Sequence, residues 1–143
     1  FTRGIMKDII KTFAVDLLGC GCGSEVFERI DVSDDSFDGA CGRGKRILIG
    51  NRLLIYLAPW DGRDDLAGHA ASLMRRGKEE RDKNGYNRFR LVLAADSPVE
   101  VSEQADGLLK SLVGNDEKLH FHVLPSDNDV VRRILRWTGG YHA

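Results

Sequence analysis

The stretch GKRILIGNRLLIYLAPW, Gly44 to Trp60, constrains the fold most strongly: two apolar runs, Arg46–Ile49 and Arg52–Leu57, are hinged at Gly50-Asn51. Both hinge residue types tolerate positive φ, so the link is short enough for a tight antiparallel turn. The second run carries no acid, lysine or histidine. Runs of this kind predict two central strands buried on both faces, with helices packed against them.

The rest of the chain supplies those helices. Met6, Ile9, Ile10, Phe13 and Leu17 recur at helical spacing, and Gly19 is a natural stop. Glu25–Val32 alternates as a strand, with Val26, Ile30 and Val32 on one face, before a polar, glycine-rich loop from Ser33 to Gly44. Beyond the hairpin, Asp61–Arg76 reads as a helix running on into a charged, solvated segment and a turn at Asn84-Gly85. RFRLVLAA reads as a buried strand. SPVEVSEQADGLLKSLVG reads as a helix with Ser97 as N-cap, Pro98 at its first position and Gly114 at its end. KLHFHVLP is a further strand, and Ser126 or Asp127 caps a last helix that turns Val130, Val131, Ile134 and Leu135 inward.

Three strands without an intervening helix predict an antiparallel meander, and two more, each preceded by a helix, predict addition by crossover. The expected fold is therefore α/β: a single-domain three-layer sandwich, with a mixed sheet of about five strands and helices on both faces. Residues 1–5 read as an added or flexible leader, and 6–143 as the one domain.

At 143 residues, 42% hydrophobic and 30% charged, the composition is that of a globular domain rather than a disordered chain. A net charge of −1 gives no global field toward nucleic acid or membrane, so any such binding must come from local patches. No apolar run approaches the roughly 18 residues that span a bilayer. The N-terminal apolar residues are interrupted by Lys7, Asp8, Lys11 and Asp16, unlike a signal peptide. A cytoplasmic protein without a membrane partner is the default expectation. Three cysteines in glycine-rich surroundings argue against a secreted disulfide framework.

FDGACGRGKRILIGNRLLIYLAPW and NRFRLVLAAD, within a span of roughly Ile5 to Ala95, resemble the restriction-endonuclease-like (PD-(D/E)XK) superfamily. Its core runs helix, three-strand meander, helix, strand. In its archaeal junction resolvases an acid precedes an apolar run, and a turn leads into a run resembling GRLLLIE-x-K. The resemblance implies a carboxylate pair on the meander holding a divalent metal, and a lysine two residues on that stabilises or activates water. Here Tyr56 falls at the acid and Ala58 at the lysine, leaving Asp38 as the one carboxylate of the pair. One carboxylate makes a poor magnesium site, so such a scaffold would be catalytically dead. The same strands also suit a generic mixed sandwich, in which the hairpin is two buried central strands that hold helices and no chemistry.

Other groups carry chemistry of their own. Cys20, Cys22 and Cys41 offer three thiolates, but a zinc site usually has two-residue gaps within its cysteine pairs and needs a fourth ligand. His120 and His122 flank Phe121 on a strand, so both imidazoles share one face; that spacing suits one metal or the less buried side of an edge strand. GACGRGKR leads into a strand and carries Gly-Lys-Arg, so it is not a phosphate-binding P-loop. The acids of DGRDD complement a helix N-terminus without a ligand. Glu28 shares the face of Val26 and Ile30, where a carboxylate is costly unless paired; Arg46 on the neighbouring strand is the natural partner.

Basic residues form the broadest signal. Arg43, Lys45, Arg46 and Arg52 surround the hairpin, Arg75 and Arg76 open the charged helix end, and Arg132, Arg133 and Arg136 line the last helix beside Trp137. Such clusters with aromatics nearby suit a phosphate backbone and stacked bases. Glu79, Glu80 and Asp82, by contrast, lace the middle cluster as on an ordinary solvated helix. Three functions follow: a non-enzymatic nucleic-acid-associated protein, an assembly subunit docking a protein partner through its C-terminal helix, or a metal-dependent nuclease using relocated carboxylates such as Glu28 and Asp38. No cofactor is expected.

Overall fold

A computed structural model describes residues 2–19, 24–37, 43–60, 66–103, 116–137 and 140–142. Its centre is a six-stranded mixed sheet in the order β5-β4-β3-β2-β1-β6. β1 (Ile30–Asp35), β2 (Gly44–Ile49) and β3 (Leu53–Trp60) form the antiparallel meander, and β4 (Arg88–Ala95) and β5 (Leu119–Pro125) add parallel to it. The Gly50-Asn51 turn works as its residue types require: φ is +61° and +55°, so both turn residues are left-handed. Gly50 N–H donates to the Arg29 carbonyl at 2.7 Å, tying the turn to the start of β1.

The central strands β2, β3 and β4 bury both faces, which produces two cores. On one face Ile30, Val32, Ile47, Ile55 and Val92 meet α1 (Thr2–Thr12), its wider π-helical continuation Phe13–Leu17, and the last helix Asp129–Arg136. On the other, Leu48, Leu54, Tyr56, Leu91 and Leu93 meet α2 (Leu66–Asn84) and the helical residues 98–103, labelled α3. The last helix is therefore α4. The α/β three-layer sandwich with a mixed sheet is what the strand periodicities predict. None of the described helices is long and apolar enough to cross a membrane.

Local details differ from the sequence reading for physical reasons. Residues Ser24–Glu28 form a 3-10 helix instead of a strand. Alternation through this segment would drive the Glu28 carboxylate into the core; the turn buries Phe27 instead and leaves Glu28 exposed. β1 runs on through the acidic Asp31–Asp35 because basic residues stand opposite, Asp34 against Lys45 and Ser33 against Arg46. α4 is capped by Asn128, whose side chain accepts from Val130 N and Val131 N at 3.0 and 3.2 Å, rather than by Ser126 or Asp127. α1 begins at Thr2, taking in most of the segment read as a leader. A sixth strand, Tyr141–His142, pairs with Asp31 and Val32 of β1.

Candidate functional site

Tyr56, at the centre of β3, is wholly buried. Its hydroxyl donates to Glu80 Oε1 on α2. Glu80 Oε2 accepts twice from Arg46, whose Nε lies at 2.6 Å; Arg46 stands directly opposite Tyr56 in the β2–β3 register. One turn earlier on α2, Arg76 forms a two-pronged pair with Asp35 at the end of β1, at 2.6 and 3.2 Å. The Arg76 guanidinium also lies over the Phe37 and Tyr56 rings, 5.5 and 5.4 Å from their centroids. Phe37 and Phe89 close on Tyr56 at 5.0 and 4.8 Å, the latter edge-on.

The electrostatics of this centre are closed. Burial works to raise the Glu80 carboxyl, but hydrogen bonds from Arg46 and Tyr56 and the charge of Arg76 prevail and hold it below its ordinary value. Burial, then the Glu80 bond, push the Tyr56 phenol upward, so it stays protonated. Glu80 has both oxygens bonded, and Asp35 faces a guanidinium. Both carboxylates are thus held by arginines. Sequence reasoning missed Glu80: among Glu79, Lys78 and Asp82 it looks like a solvated charge, and the signal that singles it out is its alignment with Tyr56 across the α2–sheet contact.

The basic residues picked out by sequence divide. Lys45 is 4% exposed, bonded to Asp34 and to the Trp137 carbonyl at 2.6 Å on the α1–α4 side of the sheet. Arg132 and Arg133 both pair with Asp129, at 3.1 and 3.0 Å. Arg43, Arg52, Arg75 and Arg136 are exposed and have no ion pair among the described residues. The Lys45–Trp137 bond joins two clusters that look separate in sequence: the start of β2, with Arg43, meets the C-terminal end of α4, with Arg136. Trp137 itself is half-buried, donates Nε1–H to the Gly140 carbonyl at 2.7 Å and packs edge-on to Tyr141. Glu28 does not pair with Arg46; it lines an open cleft of about 550 Å³ at the Gly50-Asn51 turn, with Glu25, Arg29 and Arg52.

His120 and His122 share one face of edge strand β5, as their spacing predicts, but arginines occupy their lone pairs. Arg88 lies 3.3 Å from His120 Nε2 and Arg90 2.8 Å from His122 Nε2. A guanidinium only donates, so each Nε2 accepts and is not free for a metal. Among the described residues no group of three or more His, Cys, Asp and Glu side chains could hold a metal ion. Asp38, Cys20, Cys22 and Cys41 lie outside the described residues.

Burial, then the charges of Arg90 and His120, lower the His122 imidazole to about 4. The unfolded chain therefore binds the proton first as pH falls below about 6.5, and folded stability declines toward the folded value. Between pH 6.5 and 5.5 the protein is expected to lose about 1 kcal/mol to this group alone. Urea midpoints over that range should fall in the parent and flatten in His122→Gln; equal slopes would assign the loss elsewhere.

Compared with known proteins, the chain matches no family model, no curated protein and no solved structure.

Proposed function

We propose that this is a non-enzymatic nucleic-acid-associated protein on a nuclease-like scaffold whose catalytic position is closed. The observation that supports the binding half is the Lys45–Trp137 bond, which brings the start of β2, next in sequence to Arg43, to the end of α4, at Arg136. Exposed arginines at these two ends, together with a half-buried indole, suit a phosphate backbone with little sequence preference. The scaffold half is supported by the chain order helix, antiparallel meander, helix, parallel strand, which is the order the resemblance implies. The non-enzymatic half is supported by Tyr56 and Ala58 at the acid and lysine positions, and by Glu80 and Asp35 facing arginines.

Labelled single-stranded and duplex DNA and RNA, titrated at low and moderate salt with and without magnesium, test this reading. Binding should weaken steeply with salt while the strand stays intact. Arg43→Glu with Arg136→Glu should lower low-salt affinity roughly tenfold and flatten the salt dependence. Magnesium-dependent cleavage would overturn the non-enzymatic half. Absence of binding at low salt would overturn the binding half and turn attention to a protein partner at α4, tested by pull-down with Trp137→Ala.

A further inference from the structure

The same contacts that remove His120 and His122 from metal chemistry build a different site. Alternation places Arg88 and Arg90 of β4 and His120 and His122 of β5 on one face of the sheet, a two-by-two array at its edge. The two imidazoles stack with centroids 6.4 Å apart and 27° between planes. Arg90 is only 7% exposed, yet among the described residues it meets no carboxylate: its Nη1 donates to the Leu18 carbonyl at 3.0 Å and to His122 Nε2. Among the described residues its buried Nε has no hydrogen-bond partner. Asp116, the carboxylate whose charge reaches His120, is itself bonded to Arg81 at 2.7 Å.

A guanidinium taken from water without a counter-charge is an expensive arrangement, and here a second guanidinium adds to it. Elsewhere among the described residues the partly or fully buried arginines have carboxylates: Arg46 has Glu80, Arg76 has Asp35 and Arg81 has Asp116. The Arg88–Arg90 pair leaves two formal positive charges beside two imidazoles that are neutral while they accept from arginine. A tetrahedral oxyanion carrying close to two negative charges matches that count and offers several acceptor oxygens to donors that converge from two strands. A carboxylate offers one edge and one charge. We infer that the Arg88–Arg90–His120–His122 array is a binding site for a phosphoryl group. The arriving oxygens take guanidinium N–H groups now directed at the imidazoles, and each released imidazole can then accept a proton and donate to the same ligand.

This inference does not rest on the nucleic-acid reading: it uses neither Arg43 nor Arg136, and inorganic phosphate probes it with no polymer present. Phosphorus NMR line broadening and calorimetric titration, with chloride at matched ionic strength as the reference, should show saturable binding of inorganic phosphate. Arg88→Gln changes an exposed side chain and should leave the fold intact while weakening phosphate binding about tenfold, the usual effect of losing one charge-assisted hydrogen bond. Arg90→Lys keeps a cation but not the fork, and His120→Gln removes the protonatable partner; both should weaken phosphate binding, while Arg43→Gln should not. No saturable phosphate binding by the parent, or undiminished binding by folded Arg88→Gln, would overturn the site. An oligonucleotide with and without a 5′-phosphate distinguishes the sources. A preference for the phosphorylated end assigns the ligand to a terminal monoester, and indifference assigns it to a free phosphate compound.

Discussion

Gly77→Ala is expected to destabilise the protein by about 2–3 kcal/mol, against the direction of helix propensity. Gly77 is a mid-helix glycine on the buried side of α2, where alanine would ordinarily improve a helix by about 1 kcal/mol. A Cβ there, however, would fall 2.0 Å from Cζ of the Phe89 ring on β4. That ring is wholly buried and held edge-on against Tyr56, so neither rotation nor retreat is open to it. Helix and sheet would have to separate locally, loosening the contact that aligns Glu80 with Tyr56. Chemical denaturation measures the loss, and a double-mutant cycle assigns it: with Phe89→Leu already present, adding Gly77→Ala should be far less harmful. A Gly77→Ala variant as stable as the parent would show that α2 has room to move.

Glu80→Gln should have a comparable effect, about 2–3 kcal/mol at neutral pH. Glutamine preserves shape but turns one acceptor into a donor, so its amide nitrogen must face either the Tyr56 hydroxyl or the Arg46 guanidinium. One of those donors loses its partner in a half-buried site, and Arg46 loses its counter-charge in either orientation. The penalty should depend on acidity in a defined sense. Glu80 titrates below its ordinary value in the fold, so its stabilising effect is complete above about pH 4.3 and disappears as pH falls through the lower folded value. Parent and Glu80→Gln curves should thus converge in acid. A denaturation midpoint unchanged at pH 7 would mean that water satisfies Arg46 and Tyr56 in the variant.

Those two sites mark where one-dimensional reading stops. The apolar periods of β2, β3, β4 and β5 and the Gly50-Asn51 turn were legible because each is a local pattern whose burial has a single solution. The strand directions followed from whether a helix intervened. What escaped depended on partners distant in sequence. Glu80 and Gly77 sit in RRGKEERDKN, a stretch whose composition suggests solvent on all sides, and only the packing of α2 on β3 and β4 turns them inward. Lys45 reads as a surface base and is buried because Asp34 and the end of α4 close over it. Glu28 erred in the opposite way: the alternation around it was genuine, but a 3-10 turn offered an alternative that kept its charge wet. Of the residues singled out as a nucleic-acid surface, Arg43 and Arg136 are exposed, whereas Arg46 and Arg76 are drawn into the tyrosine centre. The Arg88–His120 and Arg90–His122 contacts were visible in sequence only as two alternations whose mutual register was unknown.

The change from antiparallel to parallel pairing along the sheet also bears on the order in which the chain can be assembled. Closing the β2–β3 turn fixes few residues, so the meander forms from neighbours in sequence. β4 reaches β3 only after all of α2 has been laid down, and β5 waits on a second crossover. Until then the inner edge of Leu53–Trp60 presents unsatisfied backbone groups flanked by almost nothing but apolar side chains. During synthesis or refolding this edge is open to a second copy of the same strand. Its protection depends on how fast the charged α2 brings Phe89 to the groove that Gly77 leaves open.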